Sequence, residues 1–132
     1  MKPIINLGIL LVALLLTSCS LGPANAPKTH LPPTEFSNKI NELPSAPLID
    51  VRTPGEFSQG HLKNAININW NGDNFDAEIN KLDKTKPVLI YCQSGGRSSS
   101  AANHMLSAGF KDVIELSGGI SKWRAAGLPV TN

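Results

Sequence analysis

From residue 34 onward, this 132-residue chain alternates short apolar runs with segments of helical periodicity. The most apolar run, residues 86–92, reads KPVLIYC and has the composition of a strand that is buried on both faces of a sheet. A segment with Ala101 and Met105 at helical spacing follows it, at residues 97–109. Strands that alternate with helices require crossover connections. The chain is therefore predicted to form a three-layer α/β fold, with helices that flank a mainly parallel sheet of about five strands.

The other elements are predicted from the same two patterns. Apolar residues at helical spacing indicate a helix, and short apolar or alternating runs between turn residues indicate a strand. The remaining predicted helices are residues 34–43, 75–83 and 118–127, the remaining strands are 47–52, 65–70 and 112–116, and a turn with at most one turn of helix is expected at 53–61.

Three polar or reactive side chains stand where predicted strands end. Asp50 and Arg52 end one strand, and Cys92 ends another. In open parallel sheets, ligands bind beyond the carboxyl ends of the strands. Asp50, Arg52 and Cys92 are therefore expected at one rim of the sheet, which is the candidate functional site.

The N-terminal segment has the pattern of an export signal. Lys2 precedes an apolar stretch, Ile4 to Leu16, that is shorter than the ~20 residues of a membrane-spanning helix. The stretch ends in LTSC, which resembles the bacterial lipobox, in which Cys19 would be lipidated and become the mature N-terminus. An ordinary signal peptide with an incidental cysteine is the alternative. Lipid chains would hold the protein to the cell envelope, and Ser20 indicates the outer membrane, facing the periplasm, if the host is Gram-negative.

A proline-rich segment separates this signal from the apolar pattern. Residues 20–33 contain four prolines and few large apolar side chains, which is typical of a semi-extended tether. The predicted organisation is a signal peptide at 1–18, a lipidated N-terminus and tether at 19–33, and one folded domain at 34–132.

Charge and cysteine content restrict the function further. The chain has 12 basic and 10 acidic residues without a basic cluster, so no nucleic-acid partner is expected. No two of the three histidines stand at metal-ligand spacing, and we predict neither a metal nor a cofactor. If Cys19 is lipidated, Cys92 has no partner in the chain. A leftover cysteine in an exported protein indicates a reactive thiol or an intermolecular bond.

The loop that follows the strongest strand reads CQSGGR and begins with Cys92. Gly95 and Gly96 allow the loop to curl, so that its N–H groups converge near the positive end of the following helix, an arrangement that binds anions. The nearest anion would be the Cys92 thiolate, and cysteines in comparable sites have pKa values of about 3.5–7.5. The alternative is a buried structural cysteine beside glycines that only turn the chain.

Other side chains of the loop favour an anionic substrate. Arg97 supplies a permanent charge and a fork of donors that suits a sulfonate or phosphate oxyanion. Ser94 and Ser98 supply hydroxyl donors. The loop therefore predicts a nucleophilic thiolate that is held beside an anionic substrate.

Four motifs, in the family's order, resemble the rhodanese family of single-domain sulfurtransferases over residues 34–131. CQSGGRS resembles the family's active-site loop. DVRTPGEFSQGHLKNA, at 50–65, resembles its Asp-x-Arg segment, and LSGGISKW at 116–123 and GLPV at 127–130 resemble its closing motifs. Asn64 replaces a usual glycine, and asparagine tolerates the left-handed conformation that the turn would need.

The resemblance implies a double displacement through Cys92. Its thiolate would attack the outer sulfur of a donor such as thiosulfate, release sulfite and become a persulfide, and a thiol or cyanide would then accept the sulfur. The N–H groups of the loop, Gln93 to Ser98, would stabilise the thiolate and the persulfide, and Arg97 would help to hold the anionic end of the donor. Gln93 is uncharged where some members carry arginine or lysine, which leaves the substrate preference open.

Two other functions compete with this one. A related phosphatase type has five residues between its cysteine and arginine, whereas this loop has four, which argues against phosphatase activity. A membrane-anchored persulfide carrier or sulfur-binding module, with little turnover of its own, is the alternative to the enzyme. The partner of such a carrier would be a redox or sulfur-relay protein. Asp50 and Arg52 are expected to support the loop rather than contact substrate, and Glu56 and His61 to fix the turn before the next strand.

Overall fold

The computed structural model describes residues 28–132. The predicted signal peptide at 1–18, the predicted lipidation of Cys19 and the first part of the predicted tether lie outside this range. Within residues 28–132, no helix is both long enough and apolar enough to cross a membrane.

Five strands of the described chain form one sheet in which all neighbouring strands are parallel. The strands are β1 (Lys28–Leu31), β2 (Leu48–Asp50), β3 (Ile66–Asn67), β4 (Val88–Tyr91) and β5 (Val113–Leu116). Their order across the sheet is β1-β5-β4-β2-β3, so β2 and β4 are neighbours in its interior. The predicted fold class is confirmed.

Five helices cover the two faces of this sheet. They are α1 (Pro33–Glu42), α2 (Pro54–Ser58), α3 (Phe75–Ile79), α4 (Gly96–Ser107) and α5 (Gly119–Ala125). One apolar core lies between the sheet and helices α1 and α5, and it contains Phe36 and Trp123. A second core lies on the opposite face, against α3 and α4, and contains Phe75 and Met105. The chain is therefore a three-layer structure with a core on each face.

The interior strand β4 contributes to both cores because successive side chains of a strand point to opposite faces. Val88 and Ile90 pack towards α3 and α4, and Leu89 packs towards α1 and α5. All three side chains are almost completely buried. Burial of such a side chain contributes about 1.5–3 kcal/mol, so β4 is firmly held and the loop after it begins from a fixed point.

The structure differs from the sequence prediction at the start of the domain. Residues 28–31, which were predicted as part of the tether, form β1 and pair in parallel with β5, with Lys28 opposite Val113 and Leu31 opposite Leu116. The prediction of a tether is wrong for these residues. The sequence KTHL carries one large apolar residue, and its strand conformation depends on the exposed edge that β5 offers.

The strand predicted at 65–70 is also shorter than expected. Only Ile66 and Asn67 pair with β2, and Ile66 is exposed at the edge of the sheet whereas Ile68 is buried. The chain nevertheless stays beside β2, because the backbone N–H groups of Ile68 and Trp70 donate to the carbonyl oxygens of Asp50 and Val51, both at 3.0 Å. The side-chain amide of Asn67 adds hydrogen bonds to the carbonyl oxygens of Asp50 and Arg52 at 3.0 and 2.8 Å.

Candidate active site

The ends of β2 and β4 bring the predicted site residues together. Asp50 pairs with Tyr91 in the sheet, and the N–H of Val51 donates to the carbonyl oxygen of Tyr91 at 3.0 Å. Arg52 and Cys92, which follow these strands, therefore leave the sheet side by side. The structure places Asp50, Arg52 and Cys92 at one rim.

Cys92 carries a free thiol that lies under the first turn of α4. Its side chain is buried, and the N–H of Gly95 points at its sulfur, with 3.1 Å between N and Sγ. Gly95 has φ = 112°, a left-handed conformation that glycine adopts without steric penalty. The sulfur therefore lies at the N-terminal end of α4, and the N-terminus of a helix carries a partial positive charge of roughly half an elementary charge.

The first turn of α5 orients the peptide groups of the loop. The N–H of Ile120 donates to the carbonyl oxygen of Cys92 at 2.9 Å, and the N–H of Ser121 donates to that of Gln93 at 3.1 Å. In a trans peptide, N–H and C=O point in opposite directions, so the N–H groups of Gln93 and Ser94 point away from α5. The loop N–H groups that donate to no acceptor within residues 28–132 are those of Gln93, Ser94, Gly96, Arg97 and Ser98.

Gly119 makes this close approach of α5 possible. A Cβ atom at this position would stand 2.5 Å from the carbonyl oxygen of Cys92 and 2.5 Å from the carbonyl carbon of Gln93. Its φ of 63° is also left-handed. Sequence reasoning did not include Gly119 among the site residues, although the glycine pair in LSGGISKW was a visible signal.

Arg52 joins the end of β2 to the loop. Its Nε and Nη2 donate to the carboxylate of Asp50 at 2.7–3.1 Å, its Nη2 donates to the carbonyl oxygen of Gly60 at 2.7 Å, and its Nη1 donates to Oε1 of Gln93 at 3.2 Å. The Gln93 amide then donates to Oγ of Ser121 at 2.9 Å. Asp50 and Arg52 are both buried, and they contact the loop through Gln93. This geometry fits the predicted supporting role.

The charge of Arg52 is stable in this buried position. Burial acts to lower the pKa of Arg52, but its hydrogen bonds and charge interaction with Asp50 outweigh this and raise the pKa above the ordinary value. The same cluster includes Tyr91, whose hydroxyl accepts from the N–H of Leu62 at 3.0 Å. Burial raises the pKa of Tyr91 well above its usual range, so its hydroxyl stays protonated.

Arg97 forms a two-point ion pair with Glu56, which sequence reasoning did not foresee. Nη1 of Arg97 lies 2.7 Å from Oε1 of Glu56, and Nη2 lies 2.9 Å from Oε2. Glu56 also accepts from the N–H and hydroxyl of Thr53, in a capping box that starts α2. The hydrogen bond from Arg97 is the main reason that the pKa of Glu56 falls to about 2. Glu56 thus has the predicted turn-fixing role and a second contact with the loop.

Ser98 does not have the role that the sequence suggested for its hydroxyl. The side chain is fully buried, and Oγ donates to Oε1 of Glu115, a buried acid on β5, at 2.7 Å. Glu115 also lies 3.3 Å from Nδ1 of His30 on β1. The hydroxyl of Ser98 therefore ties α4 to the sheet instead of facing a substrate, whereas Ser94 is exposed on the loop.

His61 and Asn64 lie in the turn before β3, as predicted. The ring of His61 stacks on Phe57 with 3.7 Å between ring centroids, and its Nδ1 lies 3.0 Å from the carbonyl oxygen of Phe57. Asn64 has φ = 67°, which confirms the left-handed turn that was expected at this position. Both residues shape the path of the chain between α2 and β3.

Comparison with known proteins identifies the family. A family model described as the rhodanese-like domain matches residues 32–126. The chloroplastic thiosulfate sulfurtransferase 16 of Arabidopsis thaliana is 40% identical over 91 residues, which cover 61% of this chain and 76% of the relative. A sulfurtransferase of Allochromatium vinosum is 32% identical over 95 residues, which cover 72% of this chain and 87% of the relative.

A solved structure agrees with these sequence matches. The rhodanese-like domain of an Anabaena sp. protein, determined by NMR in solution, matches with a TM-score of 0.70 at 25% identity, and 80% of each chain is covered. The family model alone spans well over half of the chain. The sequence-based assignment is confirmed: this chain belongs to the rhodanese-like domain family.

Proposed function

We propose that this protein is a sulfurtransferase that moves a sulfane sulfur from a donor such as thiosulfate to a thiophilic acceptor through a persulfide on Cys92. The observation that supports this most strongly is the position of the Cys92 sulfur, 3.1 Å from the backbone nitrogen of Gly95, within a loop whose Gln93 and Ser94 N–H groups are turned away from α5. Relatives named as thiosulfate sulfurtransferases support the same class of reaction.

The first half of the reaction loads the thiol. The Cys92 thiolate attacks the outer sulfur of thiosulfate, the new S–S bond forms, and the bond between the two sulfurs of thiosulfate breaks with release of sulfite. The negative charge then resides on the outer sulfur of the persulfide. The unpaired N–H groups of the loop can donate to this sulfur and stabilise its charge without reorganisation.

The second half of the reaction unloads the persulfide. A thiolate or cyanide attacks the outer sulfur, the S–S bond to Cys92 breaks, and the thiolate is regenerated. The first turn of α5 keeps the loop in place through both steps, because the carbonyl oxygens of Cys92 and Gln93 remain bonded to it. The cycle is written with the Cys92 thiol and the groups of the loop alone.

The place of this reaction in the cell is also a proposal. The pattern of residues 1–19 supports export, lipidation of Cys19 and attachment to the cell envelope, on the periplasmic side of the outer membrane if the host is Gram-negative. A redox or sulfur-relay protein would then act as the partner that keeps the Cys92 thiol reduced or exchanges sulfur with it. Metabolic labelling with a fatty acid, compared between the full chain and Cys19→Ser, tests the anchor directly.

The experiment that tests the activity measures sulfur transfer from thiosulfate to cyanide by residues 20–132, with the intact mass recorded after donor addition. The proposal expects turnover and a mass increase of one sulfur atom, both absent from Cys92→Ala. An adduct without turnover would indicate the carrier function instead. Equal turnover in Cys92→Ala, with circular dichroism matched between the two proteins, would exclude Cys92 as the nucleophile.

A further inference from the structure

Four charged side chains around the active-site loop compensate each other in two pairs. Arg52 is paired with Asp50, and Arg97 is paired with Glu56. The loop residue next to the nucleophile, Gln93, is uncharged. These side chains therefore present two positive and two negative charges, and their sum is zero.

The pairing turns both terminal nitrogens of Arg97 towards the carboxylate of Glu56. Both terminal nitrogens of Arg97 are bonded to Glu56, at 2.7 and 2.9 Å, and Thr53 holds Glu56 from the other side. The pKa of Arg97 is raised, first by this bond and further by the charges of Cys92 and Asp50, so Arg97 remains charged. A donor that used the same two N–H groups of Arg97 would have to displace two charge-assisted hydrogen bonds, which are among the stronger polar contacts in proteins.

The positive potential that remains at the loop comes from the backbone. The N–H groups of the loop and the N-terminus of α4 together act as a partial positive charge of roughly half an elementary charge. This attraction is shared between the Cys92 sulfur and the donor. A donor with two negative charges would bring its second charge beside Arg97, whose own charge Glu56 already balances, and loss of water from an uncompensated charge is unfavourable.

We propose that Glu56 determines the specificity for the sulfur donor: because it neutralises Arg97, the site favours sulfane donors with one negative charge, such as alkyl thiosulfonates and alkyl persulfides, over the thiosulfate dianion. This inference rests on the proposed sulfur transfer through Cys92. It assigns to Glu56 the control of donor charge, in addition to its cap on α2.

Methanethiosulfonate is the matched probe, since it differs from thiosulfate by a methyl group in place of one charged oxygen. The Cys92 thiolate attacks its terminal sulfur, the S–S bond to Cys92 forms, and methanesulfinate leaves with the electron pair of the broken bond. The total charge is the same before and after the step. The product on the protein is the same persulfide that thiosulfate gives.

The test replaces Glu56 by glutamine in the purified protein. Glu56→Gln keeps the length of the side chain and an acceptor for Thr53, but it removes the charge that neutralises Arg97. We expect the ratio of kcat/KM for thiosulfate to kcat/KM for methanethiosulfonate to rise roughly three- to tenfold, from one uncompensated charge that water screens almost as strongly as in bulk solution, since both side chains of the pair are partly exposed. The intrinsic reactivity of each donor cancels when this ratio is compared between the variant and the wild type.

Two further variants make the result specific. Glu78→Gln removes the same charge from an exposed pair between Glu78 on α3 and Lys81, and the ratio should stay at the wild-type value. Arg97→Gln leaves the carboxylate of Glu56 without its cation, and the ratio should fall below the wild-type value. Opposite shifts in the two site variants would support the inference even if one of them folds poorly.

The outcomes separate this inference from the proposed function. If both donors load Cys92 but the ratio is unchanged in Glu56→Gln and in Arg97→Gln, Glu56 does not determine specificity, and the proposed function stands. If neither donor adds a sulfur atom to the wild-type protein, the proposed function is wrong and the inference fails with it.

Discussion

The N–H of Ile120 donates to the carbonyl oxygen of Cys92 at 2.9 Å, so the start of α5 is hydrogen-bonded directly to the peptide group of the proposed nucleophile. The adjacent Ser121 makes the same contact with Gln93 at 3.1 Å. These two bonds fix the orientation of the peptides that follow Cys92. The position of α5 thus determines whether the loop N–H groups can face a bound sulfur.

Replacement of Gly119 by alanine should therefore remove activity as well as stability. The new Cβ would stand 2.5 Å from the carbonyl oxygen of Cys92, which forces α5 and the loop apart. We expect Gly119→Ala to lower the free energy of unfolding by roughly 2–4 kcal/mol and to reduce sulfur transfer by about 100-fold.

Gly127→Ala is the matched control for this change. Gly127 also has a left-handed φ, 76°, but a Cβ there would meet no atom within 4 Å. Gly127→Ala should lower the free energy of unfolding by only about 1–2 kcal/mol, which is the cost of holding alanine in a left-handed conformation, and sulfur transfer should be unchanged. Urea denaturation and a thiosulfate assay on both variants measure the difference, and equal losses of activity would contradict the clash as the cause.

Removal of the charge on Asp50 should be strongly destabilising. In Asp50→Asn the buried guanidinium of Arg52 keeps its charge and loses its counterion, which is expected to lower the free energy of unfolding by about 3–5 kcal/mol. The exposed pair between Glu78 and Lys81 offers the comparison, because its disruption in Glu78→Gln should change stability by less than about 1 kcal/mol. Chemical denaturation at neutral pH compares the two, and a small effect of Asp50→Asn would show that Arg52 finds other partners.

The hydroxyl of Ser98 should matter for stability but not for the chemistry. Ser98→Ala removes a buried hydrogen bond to Glu115 and is expected to lower the free energy of unfolding by about 1.5–3 kcal/mol. The rate of persulfide formation, measured at a temperature where the variant is fully folded, should match that of the wild type. Ser94→Ala, at an exposed position of the same loop, should leave the stability unchanged. A slower rate in Ser98→Ala would place its hydroxyl at the substrate.

The ion pair between Glu56 and Arg97 should contribute stability that depends on pH. The pKa of Glu56 is about 2 in the folded protein, below its ordinary value of 4.5, mainly because of the hydrogen bond from Arg97. A lowered pKa stabilises the fold above the ordinary pKa, and this stabilisation is lost as the pH falls from about 4.5 towards 2. The partly exposed pair is expected to contribute about 1 kcal/mol.

The difference in unfolding free energy between the wild type and Glu56→Gln measures this contribution. It should be constant from pH 7 to 5 and should decrease at lower pH. Because both proteins share every other titrating group, their difference cancels the general effect of acid on the fold. A difference that stays constant down to pH 3 would mean that the charge of Glu56 does not stabilise the folded state.

The sequence predicted the parts of the site that depend on local patterns and sheet topology. Asp50, Arg52 and Cys92 follow parallel strands, and topology alone brings the ends of such strands to one rim. Ser98 could also have been placed correctly, since it shares a helical face with Ala101, Ala102 and Met105, at spacings of three, four and seven residues. That face is buried, so the serine had to find a partner inside the fold.

Contacts between distant residues with no shared pattern were not predictable. Glu56 and Arg97 are 41 residues apart, and each has a plausible local role, as a helix cap and as an anion ligand. Their pairing depends on how α2 and α4 sit across the rim, which a single sequence does not encode in any short motif. β1 was missed for a related reason, because its short polar sequence becomes a strand only beside β5.

Removal of β1 should therefore weaken the domain, although the sequence marked this segment as a tether. A chain that starts at Pro32 would lose the pairing of Lys28–Leu31 with β5 and the contact of His30 with Glu115. It would also expose the backbone of β5 as a new sheet edge, and such edges favour association between chains. We expect a chain of residues 32–132 to unfold at lower urea concentration than residues 20–132 and to aggregate more readily in size-exclusion chromatography. Equal stability of the two chains would show that β1 adds nothing to the domain, and that the family match from residue 32 marks its true beginning.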